Sequence, residues 1–321
     1  MKNTIAGVCF LSMLSLCTSC NNDLFIDEFL KQDVSQTVSC GDSAVVRFDG
    51  SNWDVLTVGY TQSTHFSVKA YDSEGNKLTE YAQYGYPGMA RIEAENEYNY
   101  FEIKRNSERE LKIRPLEMLH DKPFLLDILV GNDYEQRVLQ FTIHPSPKYQ
   151  VDSIAYHWDT FKTQDAEVKM VNSIHFSNNG SIPQTYKAYP YKNGVNRTFQ
   201  FYWNQYSTRL QHLHTEQPVT VPDVENGKAV LRNTQIPVGE NGKNIELPLD
   251  SFDPNLSVPV VINPHENCSV ITYHEIESYN VSCTLYTSHP ISHRKNVYKG
   301  TLYSSRPYGH LVIKQKDNQH E

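Results

Sequence analysis

No stretch of the 321 residues reaches the roughly 20 consecutive apolar positions that a bilayer-crossing helix needs. Clusters of Lys and Arg are missing too. With 29 basic against 37 acidic residues and a net charge of −8, the chain has no electrostatic footprint for nucleic acid or for an anionic membrane surface. The signatures of the common catalytic sites are also lacking: no Gly-x-Ser-x-Gly elbow, His-Glu-x-x-His helix, phosphate loop or dinucleotide fingerprint occurs. These absences point away from an enzyme and imply no cofactor. Cysteine is scarce, with 6 in the chain, and Cys40, Cys268 and Cys283 lack the tight paired spacing of a zinc site. No metal is expected. His212-x-His214 and His289-x-x-x-His293 lack a carboxylate or thiol at ligand spacing, and the His265-Glu266 and His274-Glu275 neighbours would point to opposite faces of a strand.

Aromatics, by contrast, are plentiful. Tyr occurs 21 times, β-branched residues are many and long Leu/Ala/Glu/Lys stretches are few, which favours strands. The expected fold class is all-β: an N-terminal β-sandwich followed by a second, elongated β-rich domain. Period-two alternation through Val46 and Phe48, Phe66 and Val68, Phe101 and Ile103, Leu111 and Ile113, and Leu139 to Ile143 marks successive short strands. Pro145 and Pro147 then remove two backbone donors and mark a boundary. The expected division is residues 34–145 and 149–321. Beyond the boundary the clearest strand runs from Val195 to Gln205, with Phe199, Phe201 and Trp203 on a buried face and Gln200 and Tyr202 opposite. Val270 to Tyr273 and Val281 to Tyr286 read as two further strands, so that Cys268 and Cys283 flank a hairpin. They could pair as a disulfide or remain two buried thiols.

The N-terminus has a cationic head, Met1-Lys2-Asn3, an apolar stretch from Ile5 to Leu16, and small residues leading to Cys20. Its architecture is that of an export signal. Leu16-Cys17-Thr18-Ser19-Cys20 resembles the bacterial lipoprotein processing box, which implies removal of residues 1–19 and acylation of Cys20. Asn21-Asn22-Asp23 with Asp27-Glu28 resembles the acidic leader of Bacteroidetes surface lipoproteins. The implied location is extracytoplasmic, lipid-anchored at the outer membrane or cell surface. Residues 20–33 would form anchor and tether, the helix-like Asp23 to Gln32 among them.

Two further resemblances concern the body of the chain. Trp53-Asp54-Val55, Leu111-Lys112-Ile113 and the closing Val138 to Ile143 make residues 34–144 similar to the Ig-like BACON domains of Bacteroidetes surface proteins. From Asn178-Asn179-Gly180 through Val219-Thr220-Val221-Pro222 and Val258 to Pro264 to Tyr298-Lys299-Gly300, residues 166–313 resemble the aerolysin and epsilon-toxin type of β-pore-forming protein. That second likeness implies an oligomer and an inserting hairpin, for which Thr208 to Leu247 is the candidate. Pro218, Pro222 and Pro237 interrupt it, whereas a spanning strand needs about 9–11 alternating residues. Asp42-Ser43-Ala44 and Asp152-Ser153-Ile154 resemble the O-glycosylation motif of exported Bacteroidetes proteins, making Ser43 and Ser153 the acceptors.

The functional expectation is a membrane-anchored, non-enzymatic binding or interaction module for a glycan or protein ligand, with a pore-forming protein as the alternative. Flat rings beside amides suit either ligand. Tyr81, Tyr84 and Tyr86 form one such group, and Tyr186, Tyr189 and Tyr191 another.

Overall fold

The computed structural model describes residues 28–59, 65–78, 85–214, 217–225, 228–238 and 240–316. The chain is all-β and divides into two compact units between Pro147 and Lys148.

In the first unit one sheet has the order β1 (Val34–Val38), β9 (Gln136–Ile143), β8 (Phe124–Gly131), β3 (Asp54–Val58). The other runs β2 (Ala44–Arg47), β7 (Glu110–Met118), β6 (Asn99–Ser107), β5 (Arg91–Glu95), β4 (Ser67–Tyr71). Strand β1 lies parallel to β9, and the other pairs are antiparallel. Alternate residues of both sheets, among them Ile92, Phe101, Ile113, Ile128 and Phe141, meet in one core. Trp53 closes one part of it: its ring stacks on Phe48 at 4.0 Å, its Nε1 donates to the Glu108 carbonyl at 3.0 Å, and the Arg105 guanidinium lies over it at 4.2 Å. The tether expectation fails at its last residues. Phe29 and Leu30 are buried in this core, Phe29 lying 6.1 Å from Phe48, and residues 28–32 are irregular rather than helical. Two adjacent apolar side chains outweigh the helix-like pattern around them.

The second unit is built on β18 (Glu266–Ser288) and β19 (Lys295–Lys316), 23 and 22 residues long, joined by a turn and paired throughout. The sheet order is β10 (Gln150–Tyr156), β18, β19, β13 (Asn196–Trp203), β16 (Ile245–Pro248), and β11 (Lys162–Asn178) pairs with β18 beyond β10. The two strands expected between Val270 and Tyr286 are therefore one. Glu275 to Ser278, the stretch between them, holds neither Gly nor Pro and stays in the ladder.

A short hairpin and a two-stranded pair drawn from distant segments cover opposite faces of this sheet. The pair β14 (Pro218–Glu225) and β15 (Lys228–Pro237) lies over the face carrying Phe199, Phe201, Tyr279, Val281 and Leu302, and contributes buried Val219, Val221 and Ile236. The pair β12 (Gln184–Ala188) and β17 (Val258–Ile262) covers the other face at the other end, where Ala188 and Ile262 pack on Cys268 and Val270. The strand containing Phe199, Phe201 and Trp203 has the alternation expected of it, with all three buried and Tyr202 exposed.

Arg197 shares the buried parity of that strand, against its chemistry. It is tolerated because its guanidinium meets the Asp223 carboxylate of β14 at 2.7 Å and donates to the Pro222 carbonyl and the Tyr279 and Ser304 hydroxyls. Arg306 stands 3.5 Å from the same carboxylate and pairs with Glu277. Burial pushes the Asp223 carboxyl up, but Arg197, the Val224 amide and Arg306 together hold it below the usual carboxylate range.

Bulges re-aim residues at the β12–β17 end. Gly309 pairs with Glu275 and Pro307 with Ile276, so Tyr308 is an extra residue in β19. Val171 is likewise extra in β11.

Candidate functional site

On the sheet face that the β14–β15 hairpin leaves uncovered lies a groove of about 830 Å³. The ladder registers build it. Gln164, Ser278, Ser305, Thr198 and Glu246 line up across β11, β18, β19, β13 and β16, and Tyr303 and Gln200 form the row beside them. Glu167, Lys169, His274 and Pro307 extend the lining towards the β12–β17 end. Because strand neighbours alternate, each strand gives this face its polar set while giving the covered face Phe199, Phe201, Tyr279 and Leu302.

The groove's side chains are already oriented. Ser278 Oγ donates to Gln164 Oε1 at 2.9 Å, and Asn196 Nδ2 to Glu246 Oε2 at 2.8 Å. The Gln200 amide donates to Asn244, and the Tyr202 hydroxyl donates to Gln200 Oε1 at 3.3 Å. The Tyr202 and Tyr303 rings meet edge to face, with centroids 5.3 Å apart. His274 donates Nε2 to the Pro190 carbonyl at 2.9 Å. The hydroxyl of Ser278 and the ring of His274 are thus committed to an amide oxygen and a carbonyl rather than to each other. The arrangement offers neutral donors and acceptors, flat rings, and charged groups towards its margins.

The residues singled out from sequence fall elsewhere. Tyr81 and Tyr84 lie outside the described residues, as does Cys20. Tyr86 is half-buried against the first unit's core, and burial pushes its hydroxyl up. The Tyr186, Tyr189 and Tyr191 group does not form one open surface. Tyr186 packs on Phe176 at 4.6 Å, and Tyr191 is buried among Phe252, His274 and His310, its hydroxyl 3.0 Å from His310 Nδ1. Tyr189 alone is exposed, at 44%. Cys268 and Cys283 are both buried and neither is in a disulfide among the described residues. They stand on the single strand β18, fifteen positions apart, which at about 3.3 Å per residue is about 50 Å, so no disulfide can join them. Burial raises the Cys283 thiol to about 12. Ser43 and Ser153 are both exposed, in the loop before β2 and in β10.

No protein-family model and no curated protein matches the chain. Among solved structures, it is similar to a lamprey immune protein at 9% identity and a TM-score of 0.33, over 86% of this chain and 98% of that one. It is similar to an aerolysin-like protein of Bombina maxima at 11% identity and a TM-score of 0.27, covering 52% and 99% of the two chains. A third is the parasporin-2 toxin of Bacillus thuringiensis, at 10% identity, a TM-score of 0.23, and 60% and 75% coverage. At these TM-scores the likenesses carry no argument about activity.

Proposed function

We propose that the chain is a lipid-anchored, extracytoplasmic, non-enzymatic binding module whose ligand is a hydroxyl-rich glycan held in the groove of the second unit. The observation that carries this reading is the lining: Thr198, Gln200, Ser278, Ser305 and Asn196 present both donors and acceptors beside the Tyr202 and Tyr303 rings. A glycan offers hydroxyls to the first set and C–H faces to the second. Cys20 supplies the anchor, Ser43 and Ser153 the candidate O-glycosylation sites. Neither a cofactor nor nucleic acid enters this reading. A glycan array with the purified chain tests it, followed by calorimetry on Gln200→Ala and Tyr303→Ala. Binding lost in both variants, with unchanged melting temperatures, supports the groove. An array without any hit, or hits that both variants retain, defeats it.

One observation favours the second reading, a pore-forming protein. Among the described residues the β14–β15 ladder has no ladder to the main sheet and is held there by side-chain contacts. A hairpin so attached can leave without breaking a sheet. Release of dye from liposomes, together with a heat-resistant oligomer, would replace the first reading by this one.

A further inference from the structure

The groove of the second unit is closed at one end. Its lining stops at the Lys169–His274 row, where His274 Nε2 donates to the Pro190 carbonyl at 2.9 Å and Tyr191 lies buried against His274 and His310. Beyond that row the same face of β18 carries Thr272, Val270 and Cys268, all buried, and Ala188 and Ile262 pack on the last two. A wall of covered sheet therefore ends the groove.

The other end has no such wall. Past the Gln200–Tyr303–Asn280 row the ladder continues without a bulge through Tyr202–Thr301–Ser282, Lys299–Thr284 and Val297–Tyr286, and residues opposed in a ladder share a face. Ser282 and Thr301 supply hydroxyls there. At the next row the exposed His157 and Lys299 add polar groups, with His157 Nε2 2.9 Å from Thr284 Oγ1. Large side chains mark two stations on this face: Tyr202 and Tyr303, 43% and 38% exposed, and farther out Tyr286 and Val297, 41% and 50% exposed. Eight positions of β18 separate Ser278 from Tyr286, a run of about 26 Å at 3.3 Å per residue. Charges of both signs flank the run, Lys162, Lys295 and Lys299 against Glu167, Glu246 and Asp152, whose carboxylate accepts from Ser288 Oγ at 2.7 Å. Such a balance suits an uncharged chain better than a polyanion.

We infer that the ligand is an uncharged linear glycan held by one end, its terminal unit against the His274 wall and its chain leaving along β18, over Tyr303 and Tyr202, to Tyr286. This rests on the glycan reading of the groove and adds to it a direction and a length. A closed end admits a terminus but no through-going chain. Hydroxyl and amide rows recurring every two residues, about 6.6 Å apart, offer like partners to successive units of a regular polymer, with a ring station at the middle and another at the far end. A compact or branched glycan would leave the far rows unused.

Calorimetry on the purified full chain carrying Ser153→Ala tests it, because a glycan on Ser153 would lie in the Tyr286 row. The probes are linear gluco-, xylo- and manno-oligosaccharides of two, four and six units. Affinity within at least one series should rise roughly tenfold from two units to six. In that series Tyr286→Ala should remove the gain for six units and leave two units unchanged, whereas Tyr303→Ala should weaken both. Of two six-unit probes, each tagged with fluorescein at a different end, only one should bind. Circular dichroism melting checks the fold of the variants, and Val297→Ala replaces Tyr286→Ala if that variant melts early. Equal affinity for two and six units, a silent Tyr286→Ala, or binding of both tagged probes would overturn the inference, and the groove reading would survive as long as Tyr303→Ala still weakens binding. Absence of binding to any glycan would remove the groove reading itself and this inference with it.

Discussion

The Arg197 guanidinium of β13 stands 2.7 Å from the Asp223 carboxylate of β14, with the two side chains only 5% and 9% exposed. Asp223→Asn keeps the shape and removes the charge, leaving two guanidinium groups facing a neutral amide. Breaking a buried pair from one side costs about 3–5 kcal/mol, and the second unit should lose that much in chemical denaturation. The pH dependence follows from the depressed carboxyl. Its stabilisation is fully present above the unfolded value of about 3.9 and is lost as pH falls through the folded one. The wild-type advantage over the variant should therefore hold from pH 7 down to about 4 and shrink below that. A constant gap down to pH 2 would contradict the assignment.

Phe201 is fully buried and stacks on Trp203 at 5.4 Å. Phe201→Ala should cost about 3–5 kcal/mol, a large part of a domain's stability of roughly 5–15. Gln200→Ala, one position along and on the groove face, should leave the melting temperature nearly unchanged. A stable Phe201→Ala protein would show that the β14–β15 cover is loosely held.

Asp127 is buried in β8 of the first unit, and its carboxylate has only the weak hydrogen bond of Gln140, its cross-strand neighbour, to offset burial. Burial pushes its carboxyl up against a smaller pull from Gln140. A raised folded value means the charged form opposes folding, so stability falls as pH rises from the unfolded value through the folded one. Asp127→Asn should raise the first unit's melting temperature at pH 7, and the advantage should disappear in acid. A lower melting temperature at pH 7 would show that the charge is stabilising.

The lipid anchor assigned to Cys20 is tested by metabolic palmitate labelling. Cys20→Ala should lose the label and leave the membrane fraction, because acyl chains supply the affinity. Label retained in the variant would place the acylation elsewhere.

The strand pattern was legible wherever one face is apolar and the other polar, as from Phe199 to Trp203. Arg197 was not, since a charge on buried parity makes sense only beside Asp223, which arrives 26 positions later in a hairpin with its own sheet. The 23-residue β18 was read as two strands because its middle faces a polar groove on one side and Arg306 on the other, so the apolar alternation lapses without the chain turning. The groove itself was hidden for a similar reason. Five strands contribute one to three polar residues each, and no local window holds more than a fragment. Tyrosines close in sequence were the visible signal, yet Tyr186 and Tyr191 serve packing, while Tyr202 and Tyr303 meet only through the β13–β19 ladder.

Tyr308 acts as a parity inverter. Before it, even-numbered residues of β19 face the β14–β15 hairpin; beyond it, even-numbered Val312 and Lys314 face the β12–β17 pair, leaving Leu311 and Ile313 outside. Deleting this one residue would close the bulge and leave Leu311 and Ile313 outside and Val312 and Lys314 under the small pair, because the last eight positions of β19 keep their β18 partners and opposed residues share a face. The strand's two halves are thus read in different frames, and its tolerance to a single-residue deletion should be highest at the extra residue itself, whose side chain is 48% exposed.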